Sequence, residues 1–251
     1  MSSNDTPEQA LALKQWCAQG RSTEQVLRIH NSLAPLCLAH ADSSVRLCLA
    51  AGWKGLLAFR PGLRLVHGDA RILPLDQSAL IKLQFFIDQA ASVESVAPCK
   101  EPWAGLREPA GKLCSASSQE SWYLSLALRG GVAYQAFAQQ LRRSESYQLL
   151  GFLLGQGGGN ERLLALAGRY GVSVSHFRRL CHQALGGAAK PKLREWRGAR
   201  ALLAMAEGDS SLTDLALEHG FASSSHFSRE IRMLVGVAPS QLVDITRLSS
   251  E

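Results

Sequence analysis

Two stretches in the last third of the chain, LLALAGRYGVSVSHFRRLCHQALGG (163–187) and LTDLALEHGFASSSHFSREIRMLVGV (212–237), are copies of one pattern. Ala167 matches Ala216, and Gly171 matches Gly220. After one extra residue in the second copy, His176-Phe177 matches His226-Phe227, Arg179 matches Arg229 and Gly186 matches Gly236. Each copy has the internal logic of a helix-turn-helix. A small residue, Ala167 or Ala216, falls where two helices approach closely. Gly171 or Gly220 supplies a turn with positive φ, and Ser173 or Ser223 caps the second helix by accepting from its free N–H groups. Leu163, Leu166, Phe177, Leu180 and Leu185 are the expected buried face of the first unit. Leu212, Leu215, Phe227, Ile231 and Leu234 are that of the second.

The second helix of each unit has a polar face left over. In the first it carries Ser175, His176, Arg178, Arg179, His182 and Gln183. In the second it carries Ser224, Ser225, His226, Ser228, Arg229 and Arg232. Arginine bridges O6 and N7 of guanine in the major groove, whereas serine discriminates less between bases. One such helix alone reads as a solvated surface, but two matched copies point to double-stranded DNA. The candidate DNA-binding residues are therefore Ser175, His176, Arg178, Arg179, His182, Ser224, Ser225, Ser228, Arg229 and Arg232.

Between the copies runs AKPKLREWRGARALLAMAEG (189–208), with Leu193, Trp196, Ala199, Leu202 and Leu203 on one apolar stripe. A helix of about 18 residues is roughly 27 Å long. With the bulk of each unit added, it would set the two recognition helices about one DNA turn (~34 Å) apart. The chain as a whole is only modestly basic, with 27 Lys+Arg against 21 Asp+Glu. Charge is concentrated between Ser173 and Arg200, where Arg178, Arg179, Lys190, Lys192, Arg194, Arg197 and Arg200 face the single acid Glu195.

These residues compose the motifs A-x-x-x-G-V-S-x-x-x-F-x-R at 167–179, A-x-x-x-G-F-x-x-x-S-x-F-S-R at 216–229 and G-V-x-P at 236–239. Residues 144–246 thereby resemble the AraC/XylS family of bacterial transcription regulators. The resemblance implies seven helices, with a long one joining the two units. It places base-facing positions on Ser175, Arg178 and Arg179, then on Ser224, Ser225 and Arg229. The chain departs from the family after Pro239, where Leu242-Val243 replaces the usual aromatic-Arg pair. RRSESYQLLGFLL (142–154), YGVSVSHFRRLCHQALGGAAK (170–190) and LREWR (193–197) also look like the invasion-type activators of type III secretion genes. That subgroup implies promoter DNA and RNA polymerase as partners, with a secretion chaperone as co-activator; a homodimer is a further candidate assembly.

The first 143 residues are expected to form a small α+β regulatory or partner-binding domain. Helical periodicity is read at 7–19, 22–34, 77–90, 121–128 and 132–141. The runs 55–59, 63–67 and 71–75, separated by Arg60-Pro61-Gly62 and Gly68-Asp69, suggest an antiparallel meander. Residues 92–118 read as a loop. Ser144 is a candidate cap for a fresh helix, and GQGGGN (155–160) reads as a flexible joint because it lacks the Gly-Lys-Ser/Thr ending of a phosphate loop. Many relatives in the resembled family carry an effector-binding barrel at this end. Three short strands are too few for one, although regulation by a small-molecule effector stays open as the alternative.

The expected fold class is thus mainly α, a tandem helix-turn-helix domain (144–251) after the α+β domain (1–143). Six cysteines with no C-x-x-C argue against a disulfide scaffold or a zinc site. The same spacing disfavours a DNA-repair methyl acceptor, which needs a metal-held thiolate. His30, His40 and His67 are isolated, and no catalytic grouping or cofactor is expected. Phe85, Phe86, Trp122, Tyr123 and Phe137 suit either the domain core or a partner surface. The start MSSNDTPEQA is unlike a signal peptide, and no apolar run reaches the ~18–20 residues of a membrane span. The expected location is the bacterial cytoplasm, at the nucleoid when DNA is bound.

Overall fold

Leu36 and Leu38 are fully buried while Cys37 and Ala39 are only partly so, the period-2 alternation of a strand with one covered face. The computed structural model describes residues 11–18, 25–31, 34–41, 43–73, 75–91, 101–109, 115–156, 162–207, 211–239 and 241. Two compact units result, Met1–Gln148 and Leu149–Glu251.

The first unit runs β1 (Leu11–Ala12), α1 (Leu13–Ala18), β2 (Gln25–His30), β3 (Leu36–His40), β4 (Ser43–Leu49), β5 (Lys54–Phe59), β6 (Leu63–His67), β7 (Arg71–Leu73), α2 (Gln77–Ala90), β8 (Trp103–Arg107), α3 (Ala116–Arg129) and α4 (Val132–Arg142). The strands form a five-stranded sheet, β1-β7-β2-β5-β8, and a three-stranded sheet, β4-β3-β6. Leu27, Ile29, Leu57, Phe59 and Trp103 from the larger sheet share one core with Leu36, Leu38 and Leu49 from the smaller, closed by Leu13 and Trp16 of α1. The other face of the larger sheet is covered by helices, with Val26 and Ala58 lying near Ile81 and Leu141. Burial on both faces explains why β5 is apolar along almost its whole length rather than alternating.

Several expectations for this half are corrected. The helix expected at 22–34 is strand β2 from Gln25 to His30; Val26, Leu27 and Ile29 are all buried, so a two-faced strand produced spacing that imitates a helix turn. Of the helix expected at 7–19, α1 holds Leu13–Ala18, Leu11–Ala12 is a strand, and residues before 11 lie outside the described ones. The three runs of the expected meander are strands but do not pair with one another: β5 pairs with β2 and β8, β6 with β3, and β7 with β1 and β2. The loop expected at 92–118 contains β8 and the start of α3. Eight strands are described rather than three, so the strand count no longer weighs against an effector-binding β domain. Gly55 stands at a close approach, since a Cβ there would lie 2.1 Å from the Leu106 carbonyl oxygen across the β5–β8 pair.

The helices at 77–90 and 132–141 form as expected, and α3 extends the one at 121–128. Asp88, 4% exposed, gathers α2 and α4. It accepts from Arg142 Nε (2.8 Å) and Nη2 (2.7 Å), from Tyr147 Oη (2.7 Å) and from Gln84 Nε2 (2.9 Å). Gln84 Oε1 in turn accepts from Tyr123 and Tyr134. Burial alone would push the Asp88 carboxyl up, but the Arg142 and Tyr147 hydrogen bonds and the Arg142 charge outweigh it and hold it below its usual range.

Helix α5 (Glu145–Gly155) opens where expected: Ser144 Oγ accepts from Tyr147 N at 3.2 Å. The rest of the second unit is α6 (Leu163–Tyr170), α7 (Val174–Leu185), α8 (Ala189–Glu207), α9 (Leu212–Glu218) and α10 (Ser224–Val235). Residues 157–160 of the expected joint, and Leu242-Val243 with the family's last helix, fall outside the described residues. Helices outweigh strands among the described residues.

Candidate nucleic-acid interface

The two repeats fold into the same turn, bond for bond. In the first, Gly171 takes the left-handed conformation (φ 83°, ψ 24°), its N–H donates to Gly168 O, and Val172 N donates to Ala167 O at 3.1 Å. In the second, Gly220 has φ 70°, its N–H donates to Leu217 O, and Phe221 N donates to Ala216 O at 2.8 Å. This paired 6→1 and 5→2 pattern satisfies the last carbonyls of the scaffold helix and turns the chain out of it. Ser173 Oγ then accepts from His176 N (3.3 Å) and Ser223 Oγ from His226 N (3.1 Å), starting α7 and α10. Glycine, alanine and serine each sit where the repeat requires them.

Beneath each turn lies an aromatic core. Phe152 of α5, Tyr170 and Phe177 meet at centroid distances of 5.0, 6.3 and 5.8 Å in the first unit. In the second, Phe221 packs on Phe227 at 5.1 Å, with Ala201, Ala216 and Ile231 around them. Leu166, Phe177, Leu180 and Leu185, and Leu215, Phe227 and Ile231, are buried as expected; Leu163 and Leu212 are half-buried. Leu234 is a correction, being 39% exposed near the end of α10.

This packing turns matched positions outward. On α7, Ser175, Arg178, Arg179 and His182 are exposed at spacing i, i+3, i+4, i+7, which is one helix face. On α10 the same spacing joins Ser225, Ser228, Arg229 and Arg232, all exposed except the half-buried Ser228. His176 and Ser224, half-buried in the first helical turns, lie to the side of those faces. None of Arg178, Arg179, Arg229 and Arg232 forms an ion pair with the described residues. The first face thus offers two arginines, an imidazole and one serine, the second two arginines and two serines.

The basic stripe on α8 is thinner than its sequence implies. Lys192 pairs with Glu195 (2.7 Å), and Arg194 with Glu230 of α10. Glu230 also lies 3.4 Å from His226 Nε2. Arg197 is 6% exposed and stacks over the Phe221 ring, 4.7 Å from its centroid, where burial lowers the pKa of its guanidinium. The expected apolar stripe holds only in part: Leu193 is buried, Leu202 packs on the second core and Trp196 is half-buried, but Ala199 and Leu203 are exposed, and Arg197, Gly198 and Ala201 take the inner face. Exposed Arg178, Arg179, Lys190 and Arg200 remain of the seven cations. Sequence reading missed Phe152, Tyr170 and Phe221 as core; the last could have been found from its match to Val172.

Among the described residues, no group of three or more His, Cys, Asp or Glu is placed to hold a metal ion. No helix of these residues is long and apolar enough to cross a membrane.

Residues 166–244 match a family described as a helix-turn-helix domain. The chain is 40% identical over 187 residues to the Invasion protein InvF of Salmonella typhimurium, covering 74% of this chain and 87% of that one. It is 38% identical over 110 residues to the Transcriptional regulator MxiE of Shigella flexneri, covering 43% and 52%. Among solved structures, ToxT from Vibrio cholerae aligns over 90% of this chain and 96% of its own with 11% identity and a TM-score of 0.39. A Chromobacterium violaceum regulator with an AraC-type DNA-binding domain aligns over 40% and 94% with 25% identity and a TM-score of 0.36. The 187-residue match is longer than the second unit, so the likeness to InvF runs into the first.

Proposed function

Because the chain belongs to the AraC/XylS family of DNA-binding transcription regulators, we propose that it activates type III secretion and virulence genes, working with a secretion chaperone as co-activator. The single observation that supports this reading is the matched pair of outward helix faces on α7 and α10, carried by a chain whose likeness to an invasion protein extends beyond its DNA-binding unit. Residues 144–251 bind promoter DNA, and residues 1–143 receive the partner.

In this reading α7 is the principal base reader. Arg178 and Arg179 reach guanine edges in the major groove, with Ser175, His176 and His182 beside them. On α10, Arg229 and Arg232 supply charge, while Ser224, Ser225 and Ser228 discriminate less. RNA polymerase is recruited from the bound promoter in the bacterial cytoplasm, and a homodimer is one assembly that would do so.

The alternative is regulation by a small-molecule effector in the first unit, which the eight described strands favour more than the three legible in the sequence did. A promoter reporter in a heterologous host separates the two. Expression that requires a co-expressed secretion chaperone supports the first; expression or thermal stability that responds to metabolites without any chaperone supports the second.

A further inference from the structure

Cys37 of β3 and Cys48 of β4 are direct cross-strand partners, flanked by the pairs Leu36–Leu49 and Leu38–Leu47. Side chains of directly opposed residues in an antiparallel pair project from the same face. Leu36, Leu38 and Leu49 face the core, so the cysteines lie on the opposite, solvent side. Their sulfurs are 2.7 Å apart, as unlinked thiols. A covalent S–S bond is about 2.05 Å, so closure asks for little movement of either strand. β4 is the edge of its sheet, which leaves Cys48 exposed, while Cys37 is half-buried.

We propose that Cys37 and Cys48 form a redox-active dithiol that takes a low-molecular-weight disulfide of the glutathione type as its oxidant. The Cys48 thiolate attacks one sulfur of that disulfide, forming a mixed disulfide and releasing one small thiolate. Cys37 gives its proton to water and attacks Cys48 Sγ; the second small thiolate leaves and the Cys37–Cys48 bond forms. Two electrons pass from the cysteines to the small disulfide, which departs as two thiols. The hydrogen bond with Cys48 pushes the Cys37 thiol up. Cys181, by contrast, is buried in α7 and unfitted for this exchange. Reversible disulfides in reducing compartments are characteristically of this transient, sensing kind.

The test is peptide mapping of the reduced full-length protein after treatment with oxidised glutathione. The expected product is one internal Cys37–Cys48 link, reversed by dithiothreitol, with two glutathiones released per chain. Cys37→Ser is expected to stop at a stable glutathione adduct on Cys48, and Cys48→Ser to abolish the internal link. The proposal is overturned if both cysteines stay free, if wild-type Cys48 retains glutathione without closing, or if the link joins other cysteines.

Discussion

The guanidinium of Arg197 lies over the ring of Phe221, 4.7 Å from its centroid, although its sequence neighbours belong to the most basic stretch of the chain. A residue counted in the basic stripe of the sequence is therefore part of the second helix-turn-helix core. Desolvated cation–π contacts contribute roughly 1–2 kcal/mol. Arg197→Ala is expected to lower stability by about that much, measured by urea unfolding. The dependence of log K on log [salt] for DNA binding should stay unchanged, whereas a lost phosphate contact would make it shallower by about 1.

Asp88 ties Arg142, Tyr147 and Gln84 together inside the first unit. Removing one partner of a buried ion pair strands the other, at about 3–5 kcal/mol. Asp88→Ala should approach that cost in equilibrium unfolding. Because the folded pKa of Asp88 lies below its unfolded value of about 3.9, its stabilisation is present above that pH and lost as pH falls through the folded pKa. Unfolding free energy followed from pH 6 down to about pH 2 should show the decline, and Asp88→Asn should flatten it.

Gly171 has open space where a Cβ would stand, so its requirement is conformational rather than steric. Holding an alanine at its φ of 83° costs about 1–2 kcal/mol. Gly171→Ala should destabilise the second unit by that amount in thermal unfolding, and Gly171→Asn by less. Equal stability for all three would mean that the turn does not persist in solution.

Burial pushes the Cys181 thiol up to about 11. The free thiol of an unfolded chain titrates near 8.5. The folded state therefore keeps a proton that the unfolded state loses, and stability should fall as pH rises between those values. Peptide-mapped alkylation at pH 8 should leave Cys181 unmodified in the native protein and modify it in urea.

The DNA-binding unit was legible because its rules are local. Ala167, Gly171 and Ser173 are fixed by a close approach, a left-handed turn and a cap, all within a few residues, and the second copy repeats them. Ser144 announces α5 in the same way. In the first unit β5, β6 and β7 were legible as strands but not in their pairing, and β2 was not legible at all, because it is buried on both faces and pairs with β5 some thirty residues on, beyond any local period. β8 is short, carries Gly105 in its interior and stands alone between stretches of weak pattern, so it resembled a loop. Arg197 failed for a related reason: the phase of α8 is set by what it packs on, namely α7, α9 and α10.

The central claim is that the exposed face of α7 reads DNA, and fluorescence anisotropy with the protein's own promoter tests it most directly. Arg178 and Arg179 are exposed and carry no ion pair with the described residues, so replacing both with alanine should leave thermal stability unchanged. Each lost base contact is expected to cost about 1–3 kcal/mol, with relaxed sequence preference at the bases concerned. Promoter affinity that stays the same in the double variant, at matched salt, would contradict the assignment of α7 as the reading helix.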